Sequence, residues 1–268
     1  MTFPDLTRRP LARLVARGKP LVPEALWPLL LTLRSAAGDG PLVGLPSFRR
    51  VLALAAHPDD ESIGCAGTLA LLAGAGAQVT VVFATDGEAT IGAATDPAQT
   101  GRLRAAEARE ACRLLGVSDT RFLGRPDRGL PAVARELGTE LARILAETRP
   151  EVLLLPWFLD GHPDHQALST ALAYAGPRAD LQVWGYETWT PLPANRLVDV
   201  TAVIERKQAA LAAHVTASLA FDLGAAGALA RWRSIHGLMG RGYAEAFLAA
   251  PAADYLALAA RADCGGRA

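Results

Sequence analysis

Cysteine is scarce and scattered in this chain. Only Cys65, Cys112 and Cys264 occur among 268 residues, with no CxxC pair. An odd, widely spaced set argues against a disulfide framework and a cysteine-built zinc site, and a reducing cytoplasm is its simplest home. Net charge is missing too, since 27 Lys and Arg stand against 27 Asp and Glu. With no field to draw a phosphate backbone or an anionic bilayer, no nucleic-acid partner and no membrane contact are expected. Long apolar runs are also absent near the start. The stretch "LVPEALWPLLLTL" is 13 residues long and is interrupted by Pro23, Glu24 and Pro28, well short of the ~20 residues that span a bilayer. Residues 1–50 hold eight basic and three acidic side chains, and Ser35, Ala36 and Ala37 would pass as a leader cleavage site. The 20 residues before the apolar run would make an unusually long leader, so residues 1–48 are read as an N-terminal helical extension.

What is present begins at Arg50. Apolar runs of five or six residues alternate with helical-period stretches rich in Ala, Leu, Glu and Arg, the form of repeated βαβ units. Strands are predicted at 50–56, 79–84, 120–123, 151–156 and 182–187. Several are apolar at nearly every position, as strands buried on both faces are. Helices are predicted at 64–76, 101–116, 131–148 and 165–175, with two more near 202–213 and 227–236 at the edge. The fold class expected is α/β: a three-layer, Rossmann-like arrangement with a mostly parallel sheet and helices on both faces. A catalytic domain over 49–250 and a C-terminal helix or tail over 251–268 complete the division.

Two short stretches hold most of the chemically capable side chains, "HPDDE" at 57–61 and "HPDH" at 162–165. The first follows its strand directly and the second follows after "WFLDG". In a doubly wound sheet both open on the carboxyl edge, where ligands gather, so residues a hundred apart in sequence can meet. A hydrolytic zinc site needs about three His, Asp or Glu ligands, an open position and a nearby carboxylate to take a proton. His57, Asp60 or Asp59, and His165 supply that set, and the residues alone do not choose between Asp59 and Asp60 as ligand. Residues 85–100 form a long polar loop at the same edge, where Thr85 and Asp86 are placed to line a cleft or start the loop. Trp157, Trp184 and Trp189 fall near that edge as well, and tryptophan faces stack on sugars as readily as they fill cores. His214 and His236 each stand alone in a helical context and read as packing or surface residues.

The sequence "AHPDDES.G..GTLA", followed much later by "GHPDH", resembles the signature of the PIG-L or LmbE-like family of zinc-dependent N-acetylglucosaminyl deacetylases. The likeness continues through "FATDGE", "RAAEAREACRLLGV", "FLGRPD", "GYETWTPL", "KQAALAAHVT" and "GYAEAF", covering about 50–250. It implies zinc, or Fe2+ or another divalent ion, bound by His57, Asp60 and His165. Asp59 is then the general base, His162 the general acid or oxyanion stabiliser, and Asp164 the residue that orients His162. Arg104 and Asp127 are implied to contact the sugar or the group attached to it, with Glu61 and Asp86 on the same substrate-binding side. An ion pair between Arg104 and Glu107, one helical turn on, is the plainer reading of Arg104. Glu61 can equally cap a helix. The chain departs from the family where many members carry Ser-Gln and this one has Thr216 and Ala217.

The implied activity is removal of acetate from a small N-acetylated amino-sugar substrate by a cytoplasmic enzyme, with homo-oligomer formation possible. A mycothiol- or bacillithiol-conjugate amidase would use the same machinery. Two His and one Asp also make the facial triad of iron(II) oxygenases, although that leaves Asp59 and His162 without work. A sugar-binding protein with a dead site ranks last, because no catalytic position is missing.

Overall fold

Val51 to Ala55 are buried at every position, and so is each residue from Val152 to Pro156. Such runs can be satisfied only as inner strands with neighbours on both sides and helices on both faces. The structure, a computed structural model, describes residues 42–90 and 96–264 and places them so. Its sheet has eight strands: β1 Leu42–Val43, β2 Arg50–Ala55, β3 Gln78–Thr85, β4 Asp119–Arg125, β5 Val152–Pro156, β6 Gln182–Tyr186, β7 Arg196–Asp199 and β8 Ala244–Pro251. Their spatial order is β1-β7-β8-β6-β5-β2-β3-β4. All pairings are parallel except those of β8, which runs antiparallel to both β6 and β7.

Residues alternate across the sheet and so feed two cores. Leu52 and Leu54 pack on one face with Leu137 and Leu141 of α4 (Ala134–Thr148), Leu168 and Leu172 of α5 (Pro163–Ala175), and Tyr255 of α9 (Ala252–Cys264). Val51, Ala53 and Ala55 face the other way. There they meet Leu69 of α2 (Ala66–Gly74), Ala111 and Leu115 of α3 (Pro97–Leu115), and Ala210 of α6 (Ile204–Ala213). Leu54 has no exposed surface, so truncation to Ala removes transfer energy and leaves a cavity, at a cost of about 2–5 kcal/mol.

Each of the five predicted strands is present within two residues, but the far side of the sheet differs from the sequence reading. β7 and β8 were not expected. β8 reads AEAFLAAP, alanine-rich and with an acid in its buried stretch, so neither β propensity nor an apolar run marks it. The helix expected over 64–76 is two, α1 (Asp60–Gly64) and α2, with the break at Cys65. After α7 (Gly224–Arg233) and α8 (Ile235–Leu238), where 251–268 was expected as a helix or tail, helix α9 contributes Ala252, Tyr255 and Leu258 to the first core. Of the expected N-terminal extension, residues 1–41 lie outside the described residues, and Leu42–Val43 pairs with β7 as an edge strand.

The chain winds outward in both directions from the middle, with β3 and β4 on one side of β2 and β5 and β6 on the other. The carboxyl ends of β2 and β5, paired through Val51↔Val152 and Ala53↔Leu154, are therefore where the winding reverses. Loops diverge there and leave a crevice.

Candidate metal centre

The turn after β2 delivers His57 to Asp60, and the turn after β5 delivers Asp160 to His165. Asp60 opens α1, and its Oδ2 accepts the backbone N–H groups of Ala56 and His57 at 2.9 and 2.8 Å, which turns Oδ1 toward the crevice. His162 caps the N-terminus of α5, with Pro163 at the first helical position, where a missing N–H costs nothing. His165 follows on the first turn. The two loops meet: His57 Nδ1 lies 3.3 Å from His165 Nε2, His165 Nε2 lies 3.1 Å from Asp60 Oδ1, and His57 Nδ1 lies 3.6 Å from Asp60 Oδ2. Two ligands each ~2.0–2.1 Å from a tetrahedral zinc ion stand about 3.3–3.4 Å apart. The three residues fit a divalent ion of that size.

The outward-facing ring nitrogens are also engaged. His165 Nδ1 is 2.8 Å from Asp160 Oδ1, and His57 Nε2 is 3.2 Å from both Asp164 Oδ2 and Asp127 Oδ1. Carboxylates on the far side of ligand histidines fix tautomer and ring orientation and raise ligand basicity. The electrostatics agree. Burial works against a charged His165, yet Asp60 and Asp160 raise it to about 9. Burial likewise opposes charge on His57, but Asp127, Asp164 and Asp60 carry it well above the usual histidine range. Asp60, although buried, is held well below the usual carboxylate range by His165 and His57. Groups arranged to hold positive charge out of water suit a cation. His57, His162 and His165 also bring ring nitrogens within 4.8 Å of one another, but Nδ1 of His162 is taken by the backbone.

Asp59 stands beside His57 and Asp60 without the same partners. Its φ of 151° is one that a side chain rarely tolerates. Arg104 of α3, buried, holds it by a 2.9 Å bond from Nη2 to Oδ2 and ties itself to Pro58 O, Gly87 O and Thr90 Oγ1. Gly87, at φ +69°, has no space for a Cβ because that guanidinium occupies it. Burial raises the Asp59 carboxyl to about 6, with Arg104 pulling it down and Asp60 pushing it up. His162 Nδ1 accepts the Asp164 N–H at 3.2 Å, so the neutral ring carries its hydrogen on Nε2. Burial, with His57 and His165 nearby, lowers its pKa and keeps it neutral at pH 7.

Several placements differ from what the sequence implied. The carboxylate of Asp164 orients His57 and accepts Arg128 N and Leu130 N, while only its backbone N–H touches His162. Arg104 does not pair with Glu107, whose carboxylate instead accepts Thr216 N. Asp127 lines the cleft and meets His57 Nε2 there. Glu61 and Asp86 are not on the cleft wall: Glu61 is fully buried against Ser62 and His214, and the Asp86 carboxylate lies over Gly101 of α3. Glu245, in "GYAEAF", is buried against Lys207 at 2.6 Å. Asp160 is the residue that sequence reasoning missed. Its only signal was a carboxylate at the end of "WFLDG", which becomes legible once His165 is seen to need an outer partner.

The cleft over these groups measures about 280 Å³, floored by His57, Asp59, Asp60, Arg104, Asp127 and His162. A larger hollow of about 990 Å³ lies at the opposite, amino edge of the strands, between residues such as Gln78, Asp119 and Arg149. Size does not select the site, because among the described residues the groups that could hold a metal converge at the smaller hollow and not at the larger one.

The family described as PIG-L, GlcNAc-PI de-N-acetylase, matches residues 52–175. A diacetylchitobiose deacetylase from Thermococcus kodakarensis is 30% identical over 188 residues, 62% of this chain and 69% of the relative. The chain belongs to the PIG-L family. Its similarity extends to a 1D-myo-inositol 2-acetamido-2-deoxy-alpha-D-glucopyranoside deacetylase of Thermobispora bispora, 39% identical over 147 residues, 44% of this chain and 48% of that protein. The chain spans about half the length of the curated relatives of this kind that it matches. The N,N'-diacetylchitobiose deacetylase from Pyrococcus horikoshii shares the fold, with a TM-score of 0.66 and 24% identity over 86% of this chain and 91% of that one. The matched range 52–175 includes both turns that build the site.

Proposed function

We propose that this PIG-L member is a divalent-metal N-deacetylase, zinc being the ion its donor set fits, that removes acetate from an N-acetylglucosamine-type group on a small molecule. The observation that carries the reading is the convergence of His57 Nδ1, His165 Nε2 and Asp60 at 3.1–3.6 Å, with an unligated, strained, buried acid at Asp59 beside them. Relatives named as deacetylases of an inositol glycoside and of diacetylchitobiose support the substrate class. When bound, a divalent ion supplies Lewis acidity, lowering the pKa of a ligated water toward ~7 and polarising a carbonyl.

The chain's own groups do the rest. Asp59 accepts the proton of the water that attacks the acetyl carbon, and Arg104 keeps its Oδ2 in place without leaving the cleft wall. The neutral His162 offers its Nε2–H to the carbonyl oxygen as negative charge gathers there. As the C–N bond breaks, the proton held on Asp59 passes to the departing amine, leaving acetate and a free amino sugar. Asp164 and Asp127 hold His57 in the tautomer whose Nδ1 lone pair faces inward. Asp160 does the same for the Nε2 lone pair of His165. A reducing, cytoplasmic setting fits the buried thiols of Cys65 and Cys112, and among the described residues no helix is long and apolar enough to cross a membrane.

The test is direct. The zinc-loaded protein is incubated with diacetylchitobiose, N-acetylglucosaminyl inositol and free N-acetylglucosamine, and released amine is measured. Amine release from at least one, abolished in Asp59→Ala, is expected. No release from any of them by fully metallated protein contradicts the proposal.

A further inference from the structure

Trp189 is the largest side chain on the cleft wall, and the chemistry above gives it no role. It is 51% exposed. Its ring lies edge to face with Phe221, centres 4.8 Å apart, and both line the cleft with Ala217 and Ala220. Trp157 and Trp184 are buried in the cores, so of these three tryptophans Trp189 is the one that lines the cleft.

The backbone that carries the indole is held by the site itself, and the ring packs on Phe221. Asp160 Oδ2 accepts Thr188 Oγ1, Trp189 N and Thr190 N at 2.8–3.1 Å, while Oδ1 of the same carboxylate meets His165 Nδ1. Thr190 O further accepts Trp157 Nε1 at 2.9 Å, and Glu187 accepts Leu192 N at 2.7 Å. An exposed aromatic on a free loop is ordinary surface. One whose backbone is tied through a single buried carboxylate to His165, and whose ring packs on Phe221, starts from a set point beside the reacting centre, which is what a subsite requires. The wall it shares with Phe221, Ala217 and Ala220 offers apolar surface and no charge. A pyranose or aryl ring can stack there and keep its polar edge in water, whereas a small anion would lose hydration with nothing in return.

We infer that Trp189 and Phe221 form a subsite for the group attached to the amino sugar, and that this group presents a neutral ring face, a second sugar or an aryl aglycone. The inference rests on the deacetylase reading. A rival feature lines the same cleft: the Arg128 guanidinium is exposed, its partner among the described residues being Ala89 O at 3.5 Å, and an anionic aglycone would seek it.

The experiment compares kcat/KM for the 4-nitrophenyl glycoside of N-acetylglucosamine, N-acetylglucosamine 1-phosphate and free N-acetylglucosamine. The wild type is expected to prefer the aryl glycoside over the free sugar by about tenfold. Trp189→Ala should cut that ratio by about fivefold or more, and Trp189→Phe should restore part of it. A ratio unchanged in Trp189→Ala overturns the subsite, as does preference for the phosphate that disappears in Arg128→Ala. Total absence of turnover would instead count against the deacetylase reading. The wall is then read by calorimetric binding of the aryl glycoside to the Asp59→Asn protein, where equal affinity with and without Trp189→Ala overturns it.

Discussion

Asp59 and Asp60 are neighbours of the same type, and surroundings alone set their carboxyls apart. Asp60 accepts two backbone N–H bonds and faces two imidazoles, so its charge is stabilised. Asp59 is buried with one guanidinium, and burial lifts it to about 6. The sequence could not separate them, because nothing in "HPDDE" says which carboxylate the turn rotates inward. Asp59→Asn should lower kcat by about 10²–10⁴ while zinc content by mass spectrometry stays at the wild-type level. A base active when ionised gives a rate that rises with pH through its pKa. kcat/KM should therefore fall as pH drops below about 6, and a bound cation moves that limb lower still. Because Arg104 pulls Asp59 down, Arg104→Met should move the limb to higher pH, and a limb that stays put or falls would remove Arg104 from this role. Asp160→Asn should weaken zinc affinity by about 10–100-fold in a chelator competition.

At the scale of elements, β2, β5 and the two turns after them were readable, because buried parallel strands are apolar throughout and the polar residues after them stand out. β7 and β8 were not, since a four-residue strand and an alanine-rich one carry little pattern. What β8 does explains its buried acid. Glu245 accepts Gly67 N, Thr68 N and Thr68 Oγ1 at 2.7–2.8 Å at the start of α2 and pairs with Lys207 of α6. One carboxylate thus fastens the antiparallel strand to two helices on the second core. Glu245→Ala would leave Lys207 buried and unpaired, with a predicted loss of about 3–5 kcal/mol in urea denaturation. Gln at the same position keeps hydrogen-bond capacity and should cost less. An Ala variant as stable as the wild type would show the pair to be idle.

For the whole molecule, the doubly wound sheet brings residues 57 and 165 together, and this juxtaposition was legible once the alternating pattern and the two motifs were read together. The contacts of Asp160 and Asp164, and which of the three tryptophans near the edge lines the cleft, were not, since they depend on side-chain directions that spacing does not encode. Protons and a divalent ion compete for the same lone pairs. With His165 at about 9 and His57 also raised, metal binding at pH 7 should release protons, and apparent zinc affinity should strengthen as pH rises toward 9. Calorimetry in buffers of different ionisation enthalpy reads the proton count, and a count of zero would contradict this charge balance. Saturating zinc should also raise the melting temperature, since an ion at 100 times its Kd adds about 2.7 kcal/mol.

The most direct measurement is anomalous diffraction at the zinc edge from crystals of the zinc-loaded protein. The account predicts one peak within bonding distance of His57 Nδ1, His165 Nε2 and an Asp60 carboxylate oxygen, with Asp59 outside the coordination sphere. A peak on the far side of the His57 ring, between Asp127 and Asp164, or no peak where the turns after β2 and β5 meet, would contradict it.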